Sequence, residues 1–380
     1  MRIALLRPRV QGPGGAEATV QHLARGLAAT GHQVTVFGAG SEPGNAAALG
    51  PQVDYVKVPV WGGKTGRVLT YALNTRRLLQ KARADIVFSL ERTFFQQVYR
   101  AGDGCHREWL ARRAPFLSPG ARLLQKMSPF HLVMLWLERR LFASPEMKRV
   151  IANSRQVKEE IIRHFRVDPA VIRVVYNGLD HGLFHPVAEA ERRSLRQGFR
   201  VSEEDKIILL VGSGFARKGL AYLLDAVSQL KNEPVRLWVV GKDRRGSYEA
   251  QAHKLGLAKQ VRFWGSRAEV APFYQAAELL ALPTLYDPCS NVVLEALGCG
   301  CPVLTTAANG AAEFITPGEN GAVMAQPDDI PLWTEALRQW LARSRDPRTA
   351  EAARGAVAHL SWDATVAQTL EVLEEVAAGG

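Results

Sequence analysis

The chain has 380 residues, 47% hydrophobic and 22% charged, enough for two domains with full cores, and this composition excludes disorder as its main state. Its formal charge of +11 is unevenly spread: residues 1–175 hold 27 basic and 12 acidic side chains, whereas residues 176–380 hold 21 and 25. A first half at +15 beside a second at −4 suits a polyanionic partner for the first half, either nucleic acid or an anionic membrane surface.

In chain order, the opening MRIALLRPRV predicts a strand over Arg2 to Leu6. Arg7, Arg9 and the lack of a small-residue cleavage site argue against a signal peptide. A glycine-rich turn, Gly12-Pro13-Gly14-Gly15-Ala16-Glu17, leads to a helix over Ala16 to Thr30, and strands follow at Gln33 to Gly38, Val53 to Val58, Ile86 to Leu90 and Arg149 to Ala152. Asn153 and Ser154 can cap a helix running to about Phe165, and Val171 to Val175 reads as a strand entering Tyr176-Asn177-Gly178. The pattern then restarts, with strands at Lys206 to Val211, Val235 to Gly241, Val261 to Trp264, Leu279 to Leu282 and Pro302 to Thr305, each pair separated by a helix. A final helix is expected from Ser361 to Ala378. Short apolar strands alternating with amphipathic helices predict an α/β fold with two doubly wound Rossmann-like domains facing each other across a cleft. The expected division is residues 1–175 and 176–360, with 361–380 packing back on the first domain.

Between Arg107 and Arg140, Trp109, Leu123, Leu124, Met127, Phe130, Leu132 and Trp136 are interleaved with Arg107, Arg112, Arg113, Arg122, Lys126, Arg139 and Arg140. This suits either an interfacial helix lying among lipid headgroups or an ordinary helical hairpin with a solvated basic face. No apolar run in the first half approaches the ~20 residues of a membrane-spanning helix. Cys105, Cys289, Cys299 and Cys301 have no zinc-site spacing and form no disulfide framework, which fits a reducing cytoplasm.

Three motifs carry chemistry. Gly14 and Gly15 stand where a helix start can receive an anion. Gly212-Ser213-Gly214-Phe215-Ala216-Arg217-Lys218-Gly219 follows the first strand of the second block, and its adjacent cations need something negative opposite, as a diphosphate would be. In the third, Ser290 is a candidate helix cap, Asp287 lies just before the helix, and Glu295 lies within it among Val292, Val293, Leu294, Ala296 and Leu297. A carboxylate on so apolar a helix needs a partner. Asp287 and Glu295 are suited to sugar hydroxyls, and the amides of Ser290, Asn291 and Val292 to phosphate.

An acidic residue, seven intervening residues and a glutamate, then GCGCPVLTT, resemble the retaining GT-B glycosyltransferases of family 4. The GSxFxRKG phrase at Gly212–Gly219 is most similar to the lipopolysaccharide core glucosyltransferase I group. The resemblance spans nearly the whole chain. It implies a retaining, metal-independent transfer of a hexose, glucose from UDP-glucose, to a lipopolysaccharide core acceptor, by an enzyme without a cofactor, cytoplasmic and peripheral on the inner face of the cytoplasmic membrane. By the same resemblance Glu295 holds the donor ribose, Asp287 contacts the donor sugar, and Arg217 and Lys218 neutralise the diphosphate with the Ser290, Asn291 and Val292 amides. Gly212 belongs to that donor turn, Gly14 and Gly15 lie against donor phosphates or acceptor, and Arg267 lies at the nucleobase. Either Asp103 or His106 faces the acceptor. Asp287 stands where relatives more often have Glu, one methylene longer. Another donor such as UDP-GlcNAc or GDP-mannose, and another glycan or lipid acceptor, stay open, as does a catalytically inactive scaffold. A nucleic-acid-binding role for the basic half is disfavoured, because no helix-turn-helix, zinc or RNA-binding aromatic motif is present. No Asp-x-Asp metal motif occurs either.

Overall fold

The computed structural model describes residues 1–12, 14–40, 47–343 and 346–379. Two compact units are formed, one by Met1–Gly178 with Trp362–Gly380 and the other by Leu179–Ser361. Every strand pair in both units is parallel.

The first unit holds β1 (Arg2–Leu6), β2 (Gln33–Gly38), β3 (Val53–Lys57), β4 (Ile86–Ser89), β5 (Val98–Ala101), β6 (Arg149–Ala152) and β7 (Ile172–Val174), in the order β3-β2-β1-β4-β5-β6-β7. The second holds β8 (Lys206–Val211), β9 (Val235–Val240), β10 (Val261–Gly265), β11 (Leu279–Leu282), β12 (Val303–Thr306) and β13 (Gly321–Met324), in the order β10-β9-β8-β11-β12-β13. Central strands such as Ile207–Leu210 and Leu279–Leu282 are apolar throughout because helices cover both faces of a parallel sheet. In each sheet the order reverses beside the first strand, at β1/β4 and at β8/β11. Doubly wound folds bind ligands outside the carboxyl ends of the strands at such a point.

β5 and β13 were not expected from sequence. β5 contains Arg100, whose buried guanidinium donates to Val175 O at 3.2 Å and Asn177 Oδ1 at 2.7 Å, so a charge interrupts the apolar run. β13 is short and begins with Gly321, where an added Cβ would collide with Val303 O.

The helix Trp362–Ala378 belongs to the first unit. Its Val366, Val372, Leu373 and Val376 join the core around Leu5, Val20, Leu23 and Phe88. Each buried aliphatic contributes roughly 1.5–3 kcal/mol. Gly26 has no room for a side chain beside Val366, His22 stacks on Trp362 with centroids 4.2 Å apart, and the Thr365 hydroxyl donates to Tyr176 O at 3.0 Å.

Candidate functional site

At the carboxyl end of β8 the chain turns through Gly212–Gly219 before the helix Leu220–Ser228. Gly219 (φ 74°) lies so close to Pro283 O that no Cβ fits, and Gly212 (φ 128°) leaves room for the Lys218 methylenes, with Lys218 Cε 3.1 Å from where its own Cβ would be. The Arg217 carbonyl accepts from Leu285 N–H and from the Thr284 hydroxyl, both at 2.9 Å, which joins this turn to the segment after β11. From the β9 side, Asp243 Oδ2 accepts the Phe215 N–H at 2.7 Å.

These ties bring three charges together. Asp287 Oδ2 accepts from Arg217 Nη1 at 2.7 Å and from Lys218 Nζ at 2.6 Å, and Lys218 also donates to Ser290 Oγ at 2.9 Å. Asp287 and Lys218 are buried, while the Arg217 side chain is 34% exposed. Burial alone would push the Asp287 carboxyl up, but Lys218 and Arg217 outweigh it and hold its pKa at about 2. The negative group opposite the two cations is thus within the chain, and the cluster keeps one net positive charge. Asp287 is fixed through its backbone as well, its N–H donating to Ala308 O at 2.9 Å and its carbonyl accepting Gly310 N–H at 2.8 Å.

Ser290 occupies the N-cap of the helix Asn291–Gly298, but its hydroxyl faces Lys218 and makes no cap bond. Its amide is not a spare phosphate donor as expected, because it donates to Asn309 Oδ1 at 3.3 Å. Asn291 and Val292 form the first turn, where the helix dipole favours an anion. Glu295, one turn on, accepts from the buried Tyr274 hydroxyl at 2.7 Å. Burial raises its pKa, opposed by Tyr274 and by the charge of Lys218.

Arg267 stands apart. It is exposed, with its guanidinium 5.7 Å from the Trp264 ring and no contact to the Arg217–Lys218–Asp287 cluster among the described residues.

In the first unit Gly14 is the N-cap of the helix Gly15–Ala29, and Pro13 of this turn lies outside the described residues. The Glu17 carboxylate stands against Gly14 and Arg9 approaches it at 3.9 Å, so an acidic side chain already occupies the helix end expected to receive a phosphate. Asp103 accepts from Arg7 Nη1 at 2.8 Å, so the chain itself supplies a cation to this carboxylate. His106 is not an isolated loop histidine. It begins the helix His106–Arg113, its N–H donates to Glu138 Oε1 at 2.7 Å, and its Nε2 lies 3.0 Å from His131 Nδ1. Burial, then Arg92, His131 and Lys64, push its pKa down to about 3. The folded state therefore keeps it neutral where the unfolded chain takes up a proton, and stability is lost as pH falls from about 6.5 toward 3. Unfolding in urea between pH 7 and 4 is expected to show a shallower pH dependence for His106→Gln than for the unmodified chain. An unchanged slope would show that His106 is not held neutral.

Comparison with known proteins bears on these geometries. A family model described as Glycosyltransferase Family 4 matches residues 13–183, and one described as Glycosyl transferases group 1 matches residues 205–343. The lipopolysaccharide glucosyltransferase WaaG of Escherichia coli (strain K12) is 29% identical over 338 residues, 87% of each chain. The crystal structure of WaaG, a glycosyltransferase involved in lipopolysaccharide biosynthesis, superposes with a TM-score of 0.84 at 26% identity, over 98% of this chain and 99% of that one. The chain belongs to glycosyltransferase family 4. An MMP alpha-(1→4)-mannosyltransferase of Mycolicibacterium hassiacum is 28% identical over 433 residues, 100% of this chain and 99% of that protein.

As a family 4 glycosyltransferase with the GT-B fold, the enzyme has its charged cluster at the β8/β11 switch point of the second sheet. Sequence reasoning missed three residues that build it: Tyr274 on Glu295, Asp243 on the β8 turn, and Asn309, which reaches Ser290 N–H and Ala311 N–H and donates to Thr305 Oγ1 at 3.1 Å. Asp243 and Asn309 each sit just past a strand end on the carboxyl edge of the sheet, a signal available from sequence.

Proposed function

We propose that the enzyme transfers glucose from UDP-glucose to a lipopolysaccharide core acceptor, with retention of configuration and without a metal ion. The observation that carries transfer from a diphosphate donor is the pair Arg217 and Lys218 sharing one buried carboxylate, Asp287, at the switch point of the second sheet. The surplus positive charge and the start of the helix Asn291–Gly298 meet the charge that grows on the departing diphosphate. In the reaction the bond from the anomeric carbon to the β-phosphate oxygen breaks, the acceptor hydroxyl oxygen bonds that carbon on the same face, and its proton passes to the departing phosphate. Asp287 orients the two cations and reaches a donor-sugar hydroxyl. Glu295, aligned by Tyr274, accepts from the ribose hydroxyls.

Glucose and the core acceptor rest on the likeness to the Escherichia coli glucosyltransferase. The full-length likeness to a mannosyltransferase makes GDP-mannose the donor to test against it. Melting temperatures with UDP-glucose, UDP-GlcNAc and GDP-mannose decide: the largest rise is expected with UDP-glucose, and a larger rise with GDP-mannose would reassign the donor.

The basic first unit suits a peripheral place on the inner face of the cytoplasmic membrane. Among the described residues no helix is long and apolar enough to cross a membrane. The helix Pro119–Met127 buries none of its residues, and Leu123, Leu124 and Met127 are 58%, 72% and 64% exposed beside the exposed Arg122 and Lys126. Apolar and cationic side chains displayed together match an anionic interface. Binding of the whole chain to anionic vesicles, weaker at high salt, is expected, and equal binding to neutral vesicles would contradict it.

A further inference from the structure

The helices His106–Arg113 and Pro129–Phe142, which flank that exposed helix in sequence, help to line a cavity of about 190 Å³ in the first unit. Its lining is Arg107, Arg139, Phe142, Ala143, His164 and Phe165, with no acidic side chain. Phe142 and Phe165 stack with centroids 4.4 Å apart and give it an apolar wall.

The charges around the cavity do not cancel. Glu138 is buried against Arg92 at 3.0 Å, and its two oxygens accept the N–H groups of His106 and Arg107 at 2.7 and 3.1 Å. Glu108 holds Arg112, Arg163 and His164 at 2.7, 2.8 and 2.6 Å. Both carboxylates are therefore taken by other cations, whereas neither Arg107 nor Arg139 forms an ion pair among the described residues. Their backbones are nonetheless held in place, because Arg139 follows Glu138 on its helix and Arg107 N–H is bonded to the Glu138 carboxylate. Two guanidinium groups held on fixed backbones beside an apolar wall match an anion with several oxygens and more than one charge. The volume falls below the roughly 300–1,000 Å³ of pockets that enclose a whole small-molecule ligand, which matches the size of a phosphate headgroup better than that of a nucleotide sugar.

We propose that the Arg107–Arg139 cavity binds a phosphate monoester displayed on the lipid or glycolipid surface where the enzyme works. The chemistry rests on the cavity alone, and the lipid source rests on the membrane reading above. The test compares the full chain with its R107Q/R139Q variant, whose changes lie on exposed side chains outside the donor cluster, so that the melting shift with UDP-glucose is retained. Glycerol 3-phosphate titrated in solution is expected to bind the unmodified chain saturably and the variant about tenfold or more weakly. Vesicles containing phosphatidic acid are expected to bind the unmodified chain several-fold more tightly than phosphatidylglycerol vesicles of matched surface charge, a preference that the variant loses. Equal binding to both vesicle types with no glycerol phosphate binding would overturn the site and reduce the arginines to diffuse charge. Glycerol phosphate binding without a vesicle preference would overturn the lipid source. Failure to bind any vesicle, with glycerol phosphate binding intact, would overturn the membrane reading and leave the phosphate site standing.

Discussion

Lys218→Ala is expected to lower kcat for hexosyl transfer about 10²–10³-fold, the range seen when one preorganised donor to a developing anion is removed. The loss comes with little loss of fold, because Arg217 and Asp287 remain as a matched pair 2.7 Å apart once the second cation is gone. What disappears is the surplus positive charge proposed to meet the departing diphosphate. Lys218→Arg is not expected to restore it, since the Lys218 methylenes pack on Gly212 and the side chain is only 5% exposed, leaving no space for a planar guanidinium. Glu295→Ala acts differently. In the proposed site Glu295 holds the ribose, which is remote from the reacting carbon, so the expected loss is about 10–100-fold in kcat/KM, carried mainly by KM. Steady-state kinetics with circular dichroism as a control for folding checks both. Normal turnover in the two variants would remove these residues from the site.

Asp287→Ala is expected to have the largest effect on stability of any substitution in the site. Arg217 and Lys218 would face each other without a counter-charge, and Lys218 is buried. Breaking a buried pair from one side costs about 3–5 kcal/mol. A nucleoside diphosphate brings the missing negative charge, so UDP is expected to raise the melting temperature of Asp287→Ala by more than it raises that of the unmodified enzyme. Urea unfolding with and without UDP measures this. A variant as stable as the unmodified chain, or one that UDP stabilises no better, would show that Asp287 does not neutralise these cations.

How far the sequence foretold this arrangement depended on the kind of signal. β1, β2, β6, β8 and β11 were expected with their observed limits, because each is a short apolar run between polar punctuation. β5 and β13 escaped because a buried arginine and a leading glycine broke that pattern. In the site, the Arg217–Lys218 and Asp287–Glu295 spacings were legible as local motifs. Their mutual contact was not, since it joins residues about 70 positions apart through the parallel pairing of β8 and β11. The same limit hid the Tyr274 bond to Glu295, the His131 partner of His106, and the Arg92–Glu138 pair that anchors the basic segment. Arg217 and Lys218 were read as waiting for a ligand, whereas the folded chain supplies Asp287 for both, and Asp103, read as facing the acceptor, is paired with Arg7.

The measurement that bears most directly on the proposed reaction is the stereochemistry of a single transfer. With UDP-α-glucose labelled at the anomeric carbon and a lipopolysaccharide core acceptor truncated before its first glucose, the product is expected to be α-linked by NMR, formed in the presence of a metal chelator and lost in Lys218→Ala. A β-linked product, a reaction abolished by the chelator, or undiminished transfer by the Lys218 variant would contradict an account in which the Arg217–Lys218–Asp287 cluster drives departure of the diphosphate with retention.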